Sequence, residues 1–310
     1  MHTLLRQTSL IISKPPNVQA TLEHHLLKHK TSNTAKILTK EKKHYSSIIC
    51  QSKTHTDAVA ITPGDNDIED QYESLGLRRE WMPNHVAVIL DGTRRWSKAN
   101  GKPVNYQPFF QANTLFADLC LRWGIGTATT YIYSLKNLLR GYEANELLFR
   151  QLQKYLDDNF DDIKRKGIKL WMIGEKSALP EYLRHTIEKV EEGTKNNTKL
   201  ELMFALCYGG TDEMVKATRS ICQKVKEGVI DPEDVNDELF EKELWTGPSR
   251  APNPDLLIRT GGRVRVSNYL IWQLAQTELY FCDTYAPDFK EADFIDALKS
   301  YQQRERTFGE

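Results

Sequence analysis

The feature that most restricts the fold is an alternation that begins near residue 84. Short apolar runs recur at 85–90 (HVAVIL), 127–134 (TATTYIYS), 168–173 (IKLWMI), 199–205 (KLELMFA), 255–259 (DLLIR) and 278–282 (ELYFC). Most are strand-length and nearly continuous in hydrophobicity, as strands covered on both faces of a parallel sheet must be. Between them, stretches of helical period lie near 108–123, 142–165, 178–193, 211–227, 266–276 and 291–305. This alternation predicts an α/β fold with right-handed crossovers. Ligands of such sheets bind beyond the carboxyl ends of the strands, so the residues just after each run are the ones to inspect.

Three run ends carry groups suited to a diphosphate. Asp91-Gly92-Thr93-Arg94-Arg95-Trp96 follows the first. There a carboxylate can hold a hard cation, glycine lets backbone approach an anion, and guanidinium groups fork onto phosphate oxygens. Ser134, Asn137 and Arg140 follow the second run. Arg259-Thr260-Gly261-Gly262 follows the fifth, with Arg265 and Ser267 beyond, and a Gly-Gly turn flanked by arginine is an anion nest. Glu278 opens the last run and could supply a second carboxylate. A lone Asp-Gly is an ordinary turn. Three such ends in one chain point to a site for one or two phosphorylated substrates with Mg2+.

Other chemistries lack their patterns. There is no G-x-x-x-x-G-K-[ST] loop, and Gly124-Ile125-Gly126 precedes a strand where a dinucleotide fingerprint would follow one. Asp157-Asp158-Asn159-Phe160-Asp161 matches the aspartate-rich metal pattern of all-helical prenyl diphosphate synthases. On a helix, however, Leu148, Leu152, Leu156, Phe160 and Ile163 share one face and the aspartates point the other way, so the run reads as solvated surface. The 5 cysteines include no C-x-x-C pair, which speaks against a zinc site or disulfide framework and for reduced, mostly buried thiols. No apolar stretch approaches the roughly 18 residues of a membrane span. Basic and acidic residues balance at 42 each, which offers no bulk charge for nucleic acid.

The balance hides an asymmetry. Residues 1–55 hold nine Lys/Arg and six of the 8 His, but only Glu23 and Glu41 as acids. The segment is rich in Ser and Thr and nearly lacks Arg, and Leu10-Ile11-Ile12 is too short for the roughly 7–15-residue core of a secretory signal. It reads as a plastid transit peptide, with the chloroplast stroma as destination. Residues 56–80 turn acidic and read as a linker, leaving 81–310 as a single catalytic domain.

HVAVILDGTRRW, the Ser134–Asn137–Arg140 segment, CYGGTDE, DLLIRTGGRVRVSNYLIWQ, TELYF and the closing RERTFG together resemble the cis-prenyltransferase family over about residues 80–310. The resemblance implies a central, mostly parallel six-stranded sheet surrounded by helices, a hydrophobic product tunnel and a homodimer. It implies that Asp91 coordinates Mg2+ and helps an allylic diphosphate leave. Gly92, Thr93, Arg94, Arg95 and Arg140 would hold that diphosphate, and Arg259, Arg265 and Ser267 a second one. Glu278 resembles a second metal carboxylate, reached across the dimer or at the site edge. Asn137 and Ser134 resemble residues that position the reacting carbons and take part in proton removal.

The departures from the family pattern cluster at the chemistry. Thr93 stands for Asn, Val104 for a phosphate-binding Arg, and Gln107-Pro108 for Gly-His. The Phe-Ser-x-Glu-Asn-Trp motif reads Tyr133-Ser134-Leu135-Lys136-Asn137-Leu138, and a Gly-Gly-Glu motif ends in Arg263. These changes bring the expectation of an irregular coupling, in which two dimethylallyl diphosphates join head to middle as the branched C10 lavandulyl diphosphate. The alternatives are a regular C10 synthase that takes isopentenyl diphosphate as cosubstrate and makes neryl diphosphate, and a non-catalytic partner subunit. Phe109, Phe110 and Phe116 are candidates to block elongation.

Overall fold

The computed structural model describes residues 71–305. The leader over 1–55 and the linker as far as residue 70 lie outside the described residues. One sheet contains β1 (His85–Ile89), β2 (Thr127–Ser134), β3 (Ile168–Ile173), β4 (Leu200–Tyr208), β5 (Leu256–Arg259) and β6 (Glu278–Phe281) in the spatial order β3-β4-β2-β1-β5-β6. Every neighbouring pair is parallel, so the sheet is wholly parallel. The helices are α1 (Thr93–Ala99), α2 (Gln107–Arg122), α3 (Tyr142–Arg165), α4 (Glu181–Thr194), α5 (Gly210–Lys226), α6 (Asp237–Glu243) and α7 (Glu291–Gln302).

Successive strand residues point to opposite faces, and both faces are covered. Val86, Val88 and Leu90 pack with Phe116 of α2, Leu148 of α3, Leu183 of α4 and Phe294 of α7. Ala87 and Ile89 instead join Met203, Leu257, Tyr269 and Leu270 on the other side. All nine residues of β4 are buried, which is why its sequence shows no polar alternation. His85 belongs to this core: burial pushes its pKa down to about 4, and its neutral ring pairs Nε2 with Thr129 Oγ1 at 2.7 Å.

Strand order places the ligand crevice. The chain leaves β1 toward β2 on one side, whereas β5 leads to β6 on the other. The winding therefore reverses between β1 and β5, and the carboxyl ends of these two neighbours flank the switch point where α/β sheets bind ligands. Register puts Ile89 beside Arg259, so Asp91 and the Arg259–Gly262 turn emerge together.

Two expectations about elements need correction, and one helix was not expected. Residues 266–276 form consecutive turns instead of a helix. Ser267, Asn268 and Leu270 have φ of 54°, 60° and 47°, and tertiary partners take up backbone groups that a helix would pair internally: Gly210 N–H donates to the Asn268 carbonyl at 2.7 Å. α6 had no sequence expectation; it starts where the Asn236 side chain accepts from Leu239 N–H at 3.0 Å. The end of the expected linker is part of the fold. A helical turn over residues 71–75 precedes Leu77, and both Leu77 and Tyr72 are buried. The Tyr72 ring meets Trp123 edge-on at 5.0 Å and its hydroxyl donates to the Trp123 carbonyl at 2.9 Å.

That anchor sets an expected outcome. Tyr72→Ala should destabilise the protein by about 3 kcal/mol, the loss typical of a buried aromatic ring, and Tyr72→Phe by about 1 kcal/mol for one hydrogen bond. Urea unfolding measures both; a Tyr72→Ala loss indistinguishable from zero would place the start of the folded domain after residue 80.

Candidate functional site

The carboxyl ends of β1, β2 and β5 open into one cleft of about 340 Å3, and eleven of the twelve residues singled out from sequence line it. They are Asp91, Gly92, Thr93, Arg94 and Arg95 from the end of β1 and the start of α1; Ser134, Asn137 and Arg140 after β2; and Arg259, Arg265 and Ser267 after β5. The cleft thus holds five arginines against one carboxylate, a field suited to polyanions.

Asp91 is the node. Its Oδ2 accepts from Arg259 Nη2 at 2.9 Å and pairs with Arg95 Nη2 at 3.2 Å. Its main chain is clamped as well: Asp91 N–H donates to Thr260 Oγ1 at 2.8 Å, and that hydroxyl donates to the Asp91 carbonyl at 3.0 Å. Burial alone would raise the Asp91 pKa, but the hydrogen bond from Arg259 and the charges of Arg259 and Arg95 outweigh it and hold the group below its ordinary value. The carboxylate is therefore ionised. Two glycines permit the close packing around it. Gly92 has φ 112°, and a Cβ there would lie 2.4 Å from Tyr285. At Gly261, with φ 81°, a Cβ would lie 2.7 Å from Arg95 Nη2 and 2.9 Å from the Asp91 carbonyl.

The arginines divide by depth. Arg259 is 4% exposed and spent on the protein: besides Asp91 it donates to Ser267 Oγ at 2.7 Å and to the Arg265 carbonyl. It braces the cleft from below. Arg95 is half-buried, donates to the Gly261 carbonyl at 2.6 Å and lies 5.3 Å from the Tyr285 ring centre. Arg94, Arg140 and Arg265 are exposed at the rim, and Arg265 Nε donates to Ser267 Oγ at 3.2 Å. At the end of β2, Ser134 Oγ accepts from Asn137 N–H at 3.2 Å and caps the 3-10 turn Leu135–Arg140.

The floor was not legible from motifs. Leu90, Tyr106, Phe109, Tyr131, Ile132, Tyr133 and Leu148 close the cleft with apolar surface. Tyr131 and Tyr133 could have been found by position alone, since they are the last strand residues before Ser134. Burial pushes the Tyr131 phenol up to about 12, so it stays protonated. Of the three phenylalanines expected to limit elongation, only Phe109 lines the cleft. Phe110 stacks on Tyr155 at 5.1 Å and Phe116 meets Phe294 at 6.0 Å, which makes both core residues.

Glu278 is the twelfth residue, and within one chain it is not brought to Asp91. Parallel register sets Glu278 beside Leu256, at the amino end of the sheet, while Arg259 sits beside Phe281 at the other. Glu278 pairs with Arg304 and lines a separate cavity of about 520 Å3. Lys136 and Arg263 are exposed and lie outside the cleft lining. The aspartate run on α3 is surface, as its period predicts: Asp158 pairs with Lys154 at 2.8 Å and Asp157 with Lys189 at 3.8 Å. Among the described residues no cluster of three or more His, Cys, Asp or Glu could hold a metal. Of the cysteines, Cys120 and Cys207 are buried but Cys222 is exposed and Cys282 half-buried, so burial is less general than expected.

Asp91 nevertheless fits a divalent cation that arrives with a phosphorylated ligand. Both guanidinium contacts fall on Oδ2, which leaves Oδ1 for the cation. One carboxylate is sufficient for Mg2+, which keeps waters and draws other ligands from substrate phosphates.

Comparison with known proteins agrees with this geometry. The prenyltransferase family model described as undecaprenyl diphosphate synthase matches residues 89–309. A chloroplastic dehydrodolichyl diphosphate synthase of Solanum lycopersicum is 44% identical over 235 residues, covering 75% of each chain. A chloroplastic (2Z,6Z)-farnesyl diphosphate synthase of the same species is 45% identical over 232 residues, 74% of this chain and 80% of that one. Among solved structures, lavandulyl diphosphate synthase from Lavandula x intermedia, in complex with dimethylallyl diphosphate, superposes with a TM-score of 0.72 at 37% identity over 74% of this chain and 100% of that one.

The Asp91 environment predicts a pH signature. A carboxylate whose folded pKa is depressed adds stability above its unfolded value and loses it as pH falls through the folded one. The stability gap between wild type and Asp91→Asn should hold steady above pH 3.8, the ordinary value, and narrow below it. Unfolding midpoints across pH 2–7 give the test; a gap independent of pH would show that the Arg259 and Arg95 contacts leave Asp91 unperturbed.

Proposed function

The chain belongs to the undecaprenyl diphosphate synthase family of cis-prenyltransferases, and from that premise we propose that it joins two dimethylallyl diphosphates into lavandulyl diphosphate, releasing diphosphate. The observation that carries the reading is a cleft with two arginine-bearing walls above one short apolar floor. Arg140 stands on the β2 side of Asp91 and Arg265 with Ser267 on the β5 side, while Arg94 and Arg95 open α1 directly after Asp91. Its volume of about 340 Å3 lies near the lower end of the roughly 300–1,000 Å3 of small-molecule sites.

The first dimethylallyl diphosphate loses its diphosphate as the C1–O bond breaks, and negative charge gathers on the departing oxygens. Arg95 is already fixed by Gly261 and Asp91, so its positive charge meets that developing charge without reorganisation. The C2=C3 bond of the second molecule, held through its own diphosphate by Arg265 and Ser267, supplies the electron pair for the new C1–C2 bond. A methyl proton then leaves the resulting tertiary cation, and the released diphosphate accepts it. Tyr131 and Phe109 line the space for the carbons and exclude water, and aromatic rings favour a cation. Mg2+ on Asp91 would neutralise the leaving diphosphate. Asn137 and Ser134 place the reacting carbons.

A regular condensation is the second reading, favoured by the identity to a (2Z,6Z)-farnesyl diphosphate synthase. Residues 1–55 fit delivery to the chloroplast, the compartment named for these relatives, and within it we favour the stroma. We place the enzyme there as a homodimer, in which Glu278 of a second subunit, and not of the same chain, would approach a metal at Asp91.

Two outcomes test the proposal. Dimethylallyl diphosphate alone, with Mg2+, should give a branched C10 diphosphate by mass spectrometry of the dephosphorylated product. Product that forms only when isopentenyl diphosphate is added would establish the regular reaction instead. Arg95→Ala should lower kcat by about 10²–10³-fold, the usual loss of one preorganised donor; an unchanged kcat with a raised KM would show that Arg95 only binds.

A further inference from the structure

The 3-10 turn Leu135–Arg140 presents Asn137 and Arg140 to the cleft, yet none of its residues is fully buried. Leu139 is 88% exposed. Leu135 and Leu138 pack half-buried against the core, and the carbonyls of Asn137 and Leu138 show what else holds the turn. The Tyr133 hydroxyl lies 3.0 Å from the Asn137 carbonyl and 2.5 Å from Asn145 Oδ1, its single proton serving two acceptors. Asn145 Nδ2 then donates to the Leu138 carbonyl at 2.9 Å.

Both residues of this pair are rigidly mounted. The Tyr133 ring is 2% exposed and meets Phe149 of α3 edge-on at 5.6 Å. Asn145 stands in the first turn of α3. The Arg140 guanidinium carbon in turn lies 5.7 Å from the Tyr133 ring centre. Sequence supplies a second pointer. Where this chain departs from the family motif it has Tyr133 in place of Phe, in the same stretch where Glu and Trp have become Lys136 and Leu138.

We infer that the Tyr133 hydroxyl and the Asn145 side chain form a latch that ties the Leu135–Arg140 turn to α3 and so holds Asn137 and Arg140 in register with the diphosphate. They are positioning residues, and the inference rests on the function proposed above. A turn freed by even 1 Å can cost about 10²-fold in rate, because reacting groups must meet in a narrow range of geometry.

The test pairs binding with turnover. Tyr133→Phe keeps the buried ring and the contact with Arg140 but removes the hydroxyl; Asn145→Ala breaks the same latch from a half-buried helix position, and serves alone if the first variant does not fold. Each should leave the unfolding midpoint within about 2 °C, weaken inorganic diphosphate in calorimetry roughly 10-fold, and lower kcat with dimethylallyl diphosphate roughly 10- to 100-fold. The double variant should be no worse than the poorer single one, since both act through one turn. Unchanged diphosphate affinity and kcat in the variants, or losses that simply add, would overturn the latch. Wild-type protein that does not bind diphosphate would instead remove the functional reading beneath it, and the latch with it.

Discussion

The site depends on one ion pair at the sheet's rim. Asp91, past the end of β1, and Arg259, the last residue of β5, meet at 2.9 Å with the arginine almost wholly out of solvent. A buried guanidinium left without its carboxylate is strongly unfavourable, so the two strand ends are held together by the cost of separating them. Arg259 Nη1 donates to Ser267 Oγ and the Arg265 carbonyl, which fixes the turn that carries Arg265. Arg95 joins the same carboxylate from α1. The Asp91 carboxylate thus gathers positive charge at the cleft before any ligand arrives. Electrostatic catalysis requires donors that need not move as charge develops.

Much of this was readable because the strands are buried on both faces. Nearly continuous apolar runs such as HVAVIL and KLELMFA, bounded as they are, read as central strands, and an Asp or Arg at the end of one is committed to the rim. Asp91, Ser134 and Arg259 follow from that rule alone. It cannot say which strand ends are neighbours. The switch point between β1 and β5 comes from spatial order, and without it the contact between Arg259 and Asp91 that joins the two strand ends cannot be read. The same gap explains Glu278. The residue begins a strand, and in a parallel sheet a beginning lies on the far side from the cleft.

Two local features resisted reading for another reason. Residues 266–276 carry a helical spacing of apolar groups, but the Asn268 carbonyl accepts from Gly210 N–H and its side chain from Thr211 N–H, contacts distant in sequence. Tertiary partners override periodicity there. Tyr72 and Leu77 stand in a stretch whose acidic composition suggested a linker; two apolar side chains among charges carry too little pattern to reveal that both are buried and that Tyr72 docks against Trp123. The latch at Tyr133 is a case of the same kind, since its partner Asn145 has no motif and is identified only by the carbonyl it reaches.

The central claim is that the two arginine-bearing walls each accept the same five-carbon allylic diphosphate. A thiolo analogue of dimethylallyl diphosphate, whose C–S bond resists ionisation, allows occupancy to be counted without turnover. Calorimetric titration of the purified protein with this analogue and Mg2+ should give two equivalents per chain. A single equivalent, with the second site filled only by isopentenyl diphosphate, would contradict the account.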